Sequence, residues 1–546
     1  MRAAGILLPL SSLPGPFGIG TLGAPARAFV DFLHEAGQRY WQILPIGPTG
    51  YGDSPYQSFS AFAANPYFID PALLLADGLL EAGEAEAFDW GGDESAVDYG
   101  ALYRGRRALL KKAVDRLEPK DEGLEAFCAD NAFWLEDYAL FMALKEENGQ
   151  KSWLDWPDEV RLRQPAALER ARRRLAGPVR YWKGVQYLFR RQWDQLKAYA
   201  NEKGVAIIGD IPIYVSPDSS DIWAGPELFQ LTADRRMAAV AGCPPDAFAA
   251  DGQLWGNPLY DWDYHYTTGY AWWVRRMAYA CKVYDVVRID HFRGFESYFA
   301  IPAGQATAKN GVWRKGPGTA LMNALHQNLP DARIIAEDLG YLTPGVKALL
   351  AHSGYPGMKV LQFAFDSREA GDYMPHNYVR HSVVYTGTHD NTTTAAWQAD
   401  AVPEDVALAR AYMACGEKEA LVDAFIRTAF ASVSDTAIIP MQDWLALPAW
   451  ARMNTPSKTG GNWLWRMSPK AASPALAKRI RTLTALHCRQ QHFWNSICPY
   501  DTKQIWKQLP DIDRIQSRCL IMIKKINLTK NQQGIRHTSC HCCKNH

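Results

Sequence analysis

The 546-residue sequence lacks any apolar run of about 18 residues, the length that a membrane-spanning helix requires. Its charge is balanced, with 59 Lys and Arg against 58 Asp and Glu. No basic excess therefore points to nucleic acid or to an anionic membrane surface as a partner. The opening segment MRAAGILLPLSSLPG could pass for a signal peptide, but its apolar run is short and no A-x-A-like site follows. A first buried strand is the favoured interpretation.

Several catalytic signatures are also absent. No G-x-x-x-x-G-K-[ST] phosphate loop occurs, no Gly-rich dinucleotide fingerprint follows a first strand, and no G-x-S-x-G elbow supports a Ser-His-Asp triad. His291 and His389 each stand beside an aspartate, but without a second His or Cys at metal-ligand spacing. We therefore expect neither a catalytic metal nor a cofactor.

The ten cysteines are unevenly placed. Four are scattered without a pairing pattern, and the other six lie in the last 60 residues. The main part of the chain is therefore typical of a reduced, cytoplasmic enzyme. The segment 487–546 is basic and rich in Cys and His, and we interpret it as an atypical, disordered tail. Metal binding at its HTSCHCCKNH end is the alternative.

Eight short apolar runs bounded by turn residues predict strands that are buried on both faces, as in a parallel sheet. Helical patterns lie between them, and one of these begins at Thr343 and closes at Gly354. This alternation predicts an α/β fold, a (β/α)8 TIM barrel, with an open doubly wound sheet as the alternative. The predicted strands are 5–10, 40–46, 205–211, 284–290, 332–338, 358–365, 382–388 and 436–441.

The spacing of these strands predicts two large insertions into a catalytic barrel of residues 1–486. Residues 47–204, between the second and third strands, are helix-rich in pattern and are expected to form a subdomain on the active-site side. Residues 212–268, after the third strand, are rich in Pro, Gly, Trp and Tyr. Long loops at this end of a barrel are normally functional, so we expect an active-site loop there.

Four acidic side chains, Asp210, Asp290, Glu337 and Asp390, sit at or just after the ends of predicted strands. The C-terminal ends of barrel strands form the active-site face, and buried carboxylates cost desolvation free energy that is usually reserved for chemistry. Arg288 lies two residues before Asp290 and faces the same way. We expect it to lower the pKa of Asp290 and hold it ionised, although a purely structural pair is the alternative.

Asp290 ends one predicted strand, and Glu337 lies at the end of the next predicted strand along the chain. Neighbouring strand ends can bring two carboxyl groups to the separation of about 5–5.5 Å that retaining glycosidases need. Asp338 points the opposite way and is expected to cap or pair outside the barrel, while Asp390 supplies a third carboxylate beside His389. The 20 Trp and 25 Tyr suit contacts with sugar rings, although core packing accounts for many of them.

Longer motifs carry a family resemblance. The chain resembles the 4-α-glucanotransferases called amylomaltase or disproportionating enzyme, family 77 of the glycoside hydrolases and relatives of the α-amylases. The resemblance runs in family order from residue 7 to about 466. Its motifs are LLPLSSLPGPFGIG (7–20), YGDSPYQ (51–57), IIGDIPIYV (207–215), PPDAFAADGQLWGNPLYDW (244–262), VRIDHFRG (287–294), IIAEDLG (334–340), TGTHDN (386–391) and RMNTPSKTGGNWLWR (452–466).

The resemblance implies transfer of α-1,4-glucan segments from a donor maltodextrin to the 4-OH of an acceptor glucan or glucose, by a retaining double displacement. It implies Asp290 as nucleophile, Glu337 as acid/base and Asp390 as transition-state stabiliser. The partners implied are maltooligosaccharides and glucans derived from starch or glycogen, with no nucleic acid or membrane. The substrate-binding residues implied are Ser54, Tyr56, Asp210, Gln253, Trp255, Arg288, His389 and Asn462.

An α-amylase-like hydrolase of α-1,4-glucans is the alternative activity. Amylases usually carry an Asn-His pair after the third-strand Asp, whereas IPIYV follows Asp210 here. In amylases a His commonly lies four residues after the nucleophile, whereas His291 directly follows Asp290 here. Both differences favour the transferase. A third hypothesis, a catalytically silent glucan-binding protein, is disfavoured because all three carboxylates are present.

Overall fold

A computed structural model describes residues 2–50, 52–245, 250–340, 342–368, 371–456, 458 and 460–490. The predicted tail lies outside these residues from position 491 onward. In the described part of the chain, no helix combines the length and the apolar character needed to cross a bilayer. Cys128, Cys281 and Cys415 carry free thiols.

Eight parallel strands form the centre of the described structure. They are hydrogen-bonded in the order β10-β11-β12-β1-β2-β3-β6-β9, and they correspond to the eight predicted strands. Ala336 N donates to Pro356 O at 3.0 Å, which brings the two edges of the sheet together. The predicted (β/α)8 barrel is thus confirmed. The twelve strands of the described residues are β1 Ala3–Leu7, β2 Tyr40–Gln42, β3 Ala206–Ile211, β4 Ala239–Cys243, β5 Gln253–Pro258, β6 Val286–Ile289, β7 Ser297–Pro302, β8 Val312–Lys315, β9 Ile334–Ala336, β10 Gly357–Val360, β11 Ser382–Tyr385 and β12 Thr436–Pro440.

Helices surround this barrel, and local sequence explains their ends. The predicted helix after Thr343 is present, because the Thr343 side chain accepts a bond from Val346 N and Gly354 ends the helix with a positive φ of 64°. The α-helices of the described residues are α1 Ala24–Glu35, α2 Pro71–Ala76, α3 Tyr99–Asp115, α4 Glu122–Asp130, α5 Ala132–Glu147, α6 Asp158–Arg161, α7 Pro165–Arg174, α8 Ala176–Glu202, α9 Ser220–Ala224, α10 Trp262–Thr267, α11 Ala271–Val283, α12 Gly318–Asn328, α13 Pro344–Ser353, α14 Thr394–Asp400, α15 Pro403–Tyr412, α16 Leu421–Ala431, α17 Met441–Trp444 and α18 Pro474–Leu486.

The barrel interior is a packed core whose mouth is polar. Aliphatic side chains from the strands fill its lower layers, as is usual for this architecture. Nearer the C-terminal ends of the strands, Gln42, Asp210, Arg288 and Tyr385 are buried polar residues, and Tyr385 Oη donates to Gln42 Oε1 at 2.8 Å. The barrel therefore offers buried hydrogen-bonding groups directly beneath its active-site face.

Helices α2 to α8 lie between β2 and β3, in the region predicted to be helix-rich. Helix α5 is buried on most sides and packs against α8, which returns the chain to the barrel. Gln186 and Gln192 on α8 each pair with the backbone N–H and C=O of one residue, Ala64 and Asp70 respectively. These bonds fix the segment that follows β2, which carries predicted site residues.

A second sheet was missed at the level of sequence. The region 212–268 was predicted as a loop, but it contains β4 and β5. These join β7 and β8, from the region after β6, in an antiparallel sheet of order β5-β4-β7-β8. Strands β5 and β8 lack the apolar pattern of the barrel strands, and all four residues of β8 are exposed, whereas β4 and β7 are mostly buried. The sheet supports Gln253 and Trp255 on β5.

Arg489 belongs to the segment 487–546 that was predicted to be a disordered tail, but it is buried at the base of the barrel, so the predicted start of the tail at 487 is too early. Its guanidinium donates to backbone carbonyls at both the start of β1 and the approach to β12, including Ala3 O at 3.1 Å and Ser434 O at 3.1 Å. Nε also donates to Phe430 O at 2.9 Å. A buried guanidinium depends on such bonds, because burying a charge without hydrogen-bond partners costs far more free energy than burying a paired one.

Replacing Arg489 with Met should lower the free energy of unfolding by about 3 kcal/mol, because several buried carbonyls lose their donor. The matched control is Arg481→Met on the exposed part of α18, which should change it by less than about 0.5 kcal/mol. Denaturant unfolding followed by Trp fluorescence measures both. Equal stability of the two variants would contradict the inferred contribution of Arg489.

Candidate active site

An open cleft with an empty volume of about 1860 Å³ lies at the C-terminal ends of the barrel strands. Asp210 and Arg288 lie beneath its floor and are 1% and 3% exposed. The other predicted site residues all line it: Ser54, Tyr56, Gln253, Trp255, Asp290, Glu337, His389, Asp390 and Asn462. Residues predicted from segments far apart in the chain thus meet in one place.

Arg288 is the centre of the charge network beneath the cleft. Strand register places it opposite Asp210, and its Nη1 lies 2.7 Å and 2.6 Å from the two carboxylate oxygens. The same nitrogen lies 3.2 Å from Asp290 Oδ1. One buried guanidinium therefore compensates one buried carboxylate and contacts a second that reaches the cleft.

The expected net lowering of the Asp290 pKa is wrong. Burial raises the pKa of Asp290 well above its ordinary value. Arg288 lowers it, as expected from sequence, but the negative charges of Glu337, Asp210 and Asp390 raise it again. Sequence reasoning identified the favourable partner and underestimated desolvation and the nearby carboxylates. The Arg288 contact still orients the Asp290 side chain, which is 27% exposed.

Asp290 and Glu337 are next to each other on adjacent strands. The register pairs Ile289 with Ala336, and the following residues are these two carboxylates. Adjacent strands lie about 4.8 Å apart, which places the two side chains at comparable depth on neighbouring strand ends. Glu337 N donates to Ile289 O at 3.0 Å, so the strand pairing continues up to the carboxylate.

Two backbone N–H groups orient the Glu337 carboxylate. Oε2 accepts from His291 N at 2.6 Å, and Oε1 accepts from Leu339 N at 2.9 Å. His291 has a positive φ of 49°, a strained conformation of the kind that clusters at functional sites. Burial lowers the pKa of His291 to about 3, so its ring is neutral at physiological pH. Asp338 was expected to cap or pair outside the barrel, but it accepts from Met358 N on barrel strand β10 at 2.6 Å.

Asp390 reaches the cleft from the loop after β11, and its side chain is 48% exposed. Its Oδ1 accepts a bond from Asn454 Nδ2 at 2.6 Å, and its Oδ2 lies 3.4 Å from His389 Nε2. His389 is buried and stacks on Tyr56, with ring centroids 5.1 Å apart. Trp463 packs beside both rings. The wall of the cleft near Asp390 is therefore aromatic.

Tyr56 connects this aromatic wall to the charges below. Its hydroxyl donates to Asp210 Oδ2 at 2.7 Å. Burial raises the pKa of Tyr56 well above its usual value, and the charge of Asp210 adds to the effect. The phenol therefore stays protonated and serves as a donor. Asp210 is fully engaged by Arg288 and Tyr56, which favours structural support over direct sugar contact.

The remaining predicted residues lie on cleft loops. Trp255 sits perpendicular to the His291 ring at 4.8 Å, and its Nε1 donates to Gln253 Oε1 at 3.0 Å. Asn462 accepts from Thr455 N at 3.0 Å and so braces its own loop while it lines the cleft. Ser54 Oγ is 3.3 Å from Tyr56 N.

Sequence reasoning missed Arg452, Asn454 and Asp443. Arg452 and Asn454 belong to the RMNTP motif and bond to the loop that carries Asp390. Asp443 is buried under that loop and accepts from Thr386 Oγ1 and from both N and Oγ1 of Thr394. These residues are hard to recognise in the sequence, because a polar residue does not by itself reveal a partner that lies far away in the chain.

These contacts define a class of protein: a (β/α)8-barrel enzyme with two adjacent strand-end carboxylates and a third across an aromatic-walled cleft. Such a set fits chemistry at a glycosidic bond. Among the described residues, no three His, Cys, Asp or Glu side chains are grouped as metal ligands would be.

Known proteins give the particular family. The family model described as 4-alpha-glucanotransferase, glycoside hydrolase family 77, matches residues 8–472. The chain is 50% identical over 497 residues to a 4-alpha-glucanotransferase of Streptococcus pneumoniae serotype 4, covering 89% of this chain and 97% of that protein. It is 48% identical over 494 residues to that of Thermus thermophilus, covering 88% and 98%. The solved amylomaltase from Streptococcus agalactiae in complex with acarbose is 43% identical, with a TM-score of 0.88 over 90% of this chain and 100% of that one.

The chain therefore belongs to the 4-alpha-glucanotransferase family. It is a transferase, and the α-amylase-like hydrolase that the sequence left as an alternative is not supported.

The charge network predicts opposite stability changes for two isosteric substitutions. Asp290→Asn should raise Tm by about 1–2 °C, because burial and neighbouring negative charges oppose its ionised form. Asp210→Asn should lower the free energy of unfolding by about 3 kcal/mol, because it breaks the buried pair with Arg288.

Differential scanning calorimetry at pH 7 measures both variants. The sign follows from the raised pKa of Asp290: stability falls as the pH rises from the unfolded pKa of about 3.9 towards the higher folded pKa, so the advantage of Asn should shrink as the pH falls through that range. A lower Tm for Asp290→Asn at pH 7 would contradict this account.

Proposed function

We propose that this chain disproportionates α-1,4-glucans by a retaining double displacement with Asp290, Glu337 and Asp390 in the reacting roles. The observation that carries the proposal is the register between β6 and β9, in which Asp290 and Glu337 are adjacent at the active-site face. Retaining enzymes need two carboxyl groups about 5–5.5 Å apart, which neighbouring strand ends can supply.

In the first step an Asp290 carboxylate oxygen bonds to C1 of the donor sugar. The bond between C1 and the glycosidic oxygen breaks, and its electron pair remains on that oxygen. Glu337 gives its proton to the departing oxygen, so a shortened glucan leaves and a covalent glucosyl-enzyme forms. The contact with Arg288 keeps Asp290 directed at the cleft.

In the second step the 4-OH of an acceptor glucan or glucose enters the vacated place. Glu337, now ionised, takes the hydroxyl proton while the oxygen bonds to C1. The bond from C1 to Asp290 breaks, and its electron pair returns to the carboxylate. The anomeric configuration is inverted twice and thus retained, and the number of α-1,4 bonds is unchanged.

Asp390 and His389 act on the sugar ring at the reacting centre. Hydrogen bonds from ring hydroxyls to Asp390 strengthen as the ring distorts towards an oxocarbenium-like state. Tyr56 and Trp463 give this part of the cleft flat apolar surfaces for sugar rings. Ser54, Gln253, Trp255 and Asn462 provide polar and aromatic contacts along the cleft, while Asp210 and Arg288 act through Asp290.

The expected substrates are maltooligosaccharides and glucans derived from starch or glycogen. The open cleft accommodates several sugar units, and the similar Streptococcus agalactiae amylomaltase was solved with acarbose. We propose residues 1–486 as the catalytic unit, with 47–204 and 212–268 as its insertions. A cytoplasmic location is proposed from the scattered cysteines of this unit.

Maltotriose as sole substrate tests the reaction. We expect glucose and maltodextrins longer than maltotriose, resolved by anion-exchange chromatography, with no net gain of reducing ends because each transfer conserves the bonds. Asp290→Asn should lower the rate by about 10⁴-fold or more, because it removes the nucleophile. Steadily rising reducing ends, or an active Asp290→Asn enzyme, would refute the proposal.

Glu337→Gln separates the acid/base role from binding. Transfer from maltotriose should fall by about 10²–10⁴-fold, because the leaving sugar is no longer protonated. Formation of the glucosyl-enzyme from an α-maltosyl fluoride, whose fluoride leaves without a proton, should be far less affected. Stopped-flow fluoride release measures this step, with Glu159→Gln on the exposed α6 surface as control. Equal losses with both donors would argue against the acid/base assignment.

A further inference from the structure

The orientation of Asp390 is not fixed by packing. Its side chain is 48% exposed, whereas those of Asp210 and Arg288 beneath the cleft are 0% and 4% exposed. An exposed carboxylate on a loop loses little contact area when it rotates, so hydrogen bonds decide where its oxygens point. The strongest of these to a side chain comes from Asn454.

The chain segments at Asp390 and Asn454 are joined by several bonds. Asn454 Nδ2 donates to Asp390 Oδ1 at 2.6 Å, and Asn454 N donates to His389 O at 3.1 Å. Arg452 bridges both segments, because its Nη2 donates to Asp390 O and its Nε donates to Asn454 O, each at 2.6 Å. The backbone bonds place the two segments, and the Asn454 amide then acts on the Asp390 side chain alone.

We propose that Asn454 is a positioning residue that holds Oδ1 of Asp390 and directs its Oδ2 at the sugar in the transition state. The proposal rests on the role proposed above for Asp390. Asn454 acts through Asp390 and need not touch the reacting atoms. A displacement of about 1 Å at a reacting centre can cost about 10²-fold in rate, so one well-placed amide can matter.

A neutral donor suits this position. The charged or titratable groups around Asp390 are His389 on its own loop, Arg452 on the facing segment, and Tyr56 and Asp290, which line the same cleft. A cationic donor at position 454 would neutralise the carboxylate that faces a developing positive charge. An amide orients the carboxylate and leaves its charge available.

Asn454→Ala should lower kcat for maltotriose about 10- to 100-fold and change KM less than threefold. The loss falls on kcat because the contacts of Asp390 strengthen mainly in the transition state. The matched control is Asn328→Ala at the exposed end of α12, where the side chain donates only to Ala324 O, and it should retain full activity. Tm of each variant checks folding.

The pH dependence of kcat in Asn454→Asp distinguishes a positioning role from a purely structural one. At pH 7.5 two facing carboxylates repel, and kcat should fall below that of Asn454→Ala. At lower pH the two carboxylates share one proton and regain a hydrogen bond. The ratio of its kcat to that of the unaltered enzyme should therefore rise at least fivefold from pH 7.5 to pH 5, whereas Asn328→Asp should show a constant ratio.

Asp390→Asn in parallel separates this proposal from the one on which it rests. If Asp390→Asn is inactive while Asn454→Ala keeps kcat within twofold, only the positioning role is overturned. If Asp390→Asn is active, the role of Asp390 fails first. A kcat loss in Asn454→Ala that accompanies a lower Tm, with no recovery of Asn454→Asp at pH 5, would also overturn the positioning role.

Discussion

Arg288 Nη1 lies within hydrogen-bonding distance of both Asp210 and Asp290, and the rest of the site depends on this contact. Two carboxylates beneath and within a cleft would each demand a large desolvation free energy without a cation. The barrel supplies the cation from the strand that also carries Asp290. Because both carboxylate oxygens of Asp210 accept hydrogen bonds from Arg288, the guanidinium is held in place before any substrate binds. Tyr56 adds its hydroxyl to Asp210 and so connects the charges to the aromatic wall.

Above this network, loops carry the carboxylates of the cleft, and hydrogen bonds fix these loops. His291 N and Leu339 N hold Glu337, although they lie on different barrel loops. The Asp390 loop is bound from below by Asp443 and from the side by Arg452. Each of the three carboxylates of the cleft is thus positioned by neighbouring groups. Holding these side chains in place costs folding free energy, but it reduces the reorganisation of the site that is needed when the transition state forms.

What the sequence could predict depended on the range of the interactions. The eight barrel strands were visible because their burial on both faces leaves continuous apolar runs, and Asp290 and Glu337 became neighbours once consecutive strands were paired. Strands β5 and β8 leave no such run because they are partly or fully exposed, whereas β4 and β7 are mostly buried and were missed although their apolar residues are visible in the sequence. Asn454 was quoted in a motif but given no role, since its bond to Asp390 spans 64 residues. The pKa of Asp290 was predicted with the wrong sign, because sequence shows adjacent charges but not burial.

Preference for a sugar acceptor over water must arise from acceptor binding more than from a closed site. Asp290 is 27% exposed and Asp390 48% exposed, so water reaches the place where the glucosyl-enzyme would react. A bound hydroxyl oriented at C1 can have an effective molarity of about 10⁵ M or more, which far exceeds what free water offers. The cleft residues that hold the acceptor therefore decide the outcome by orientation.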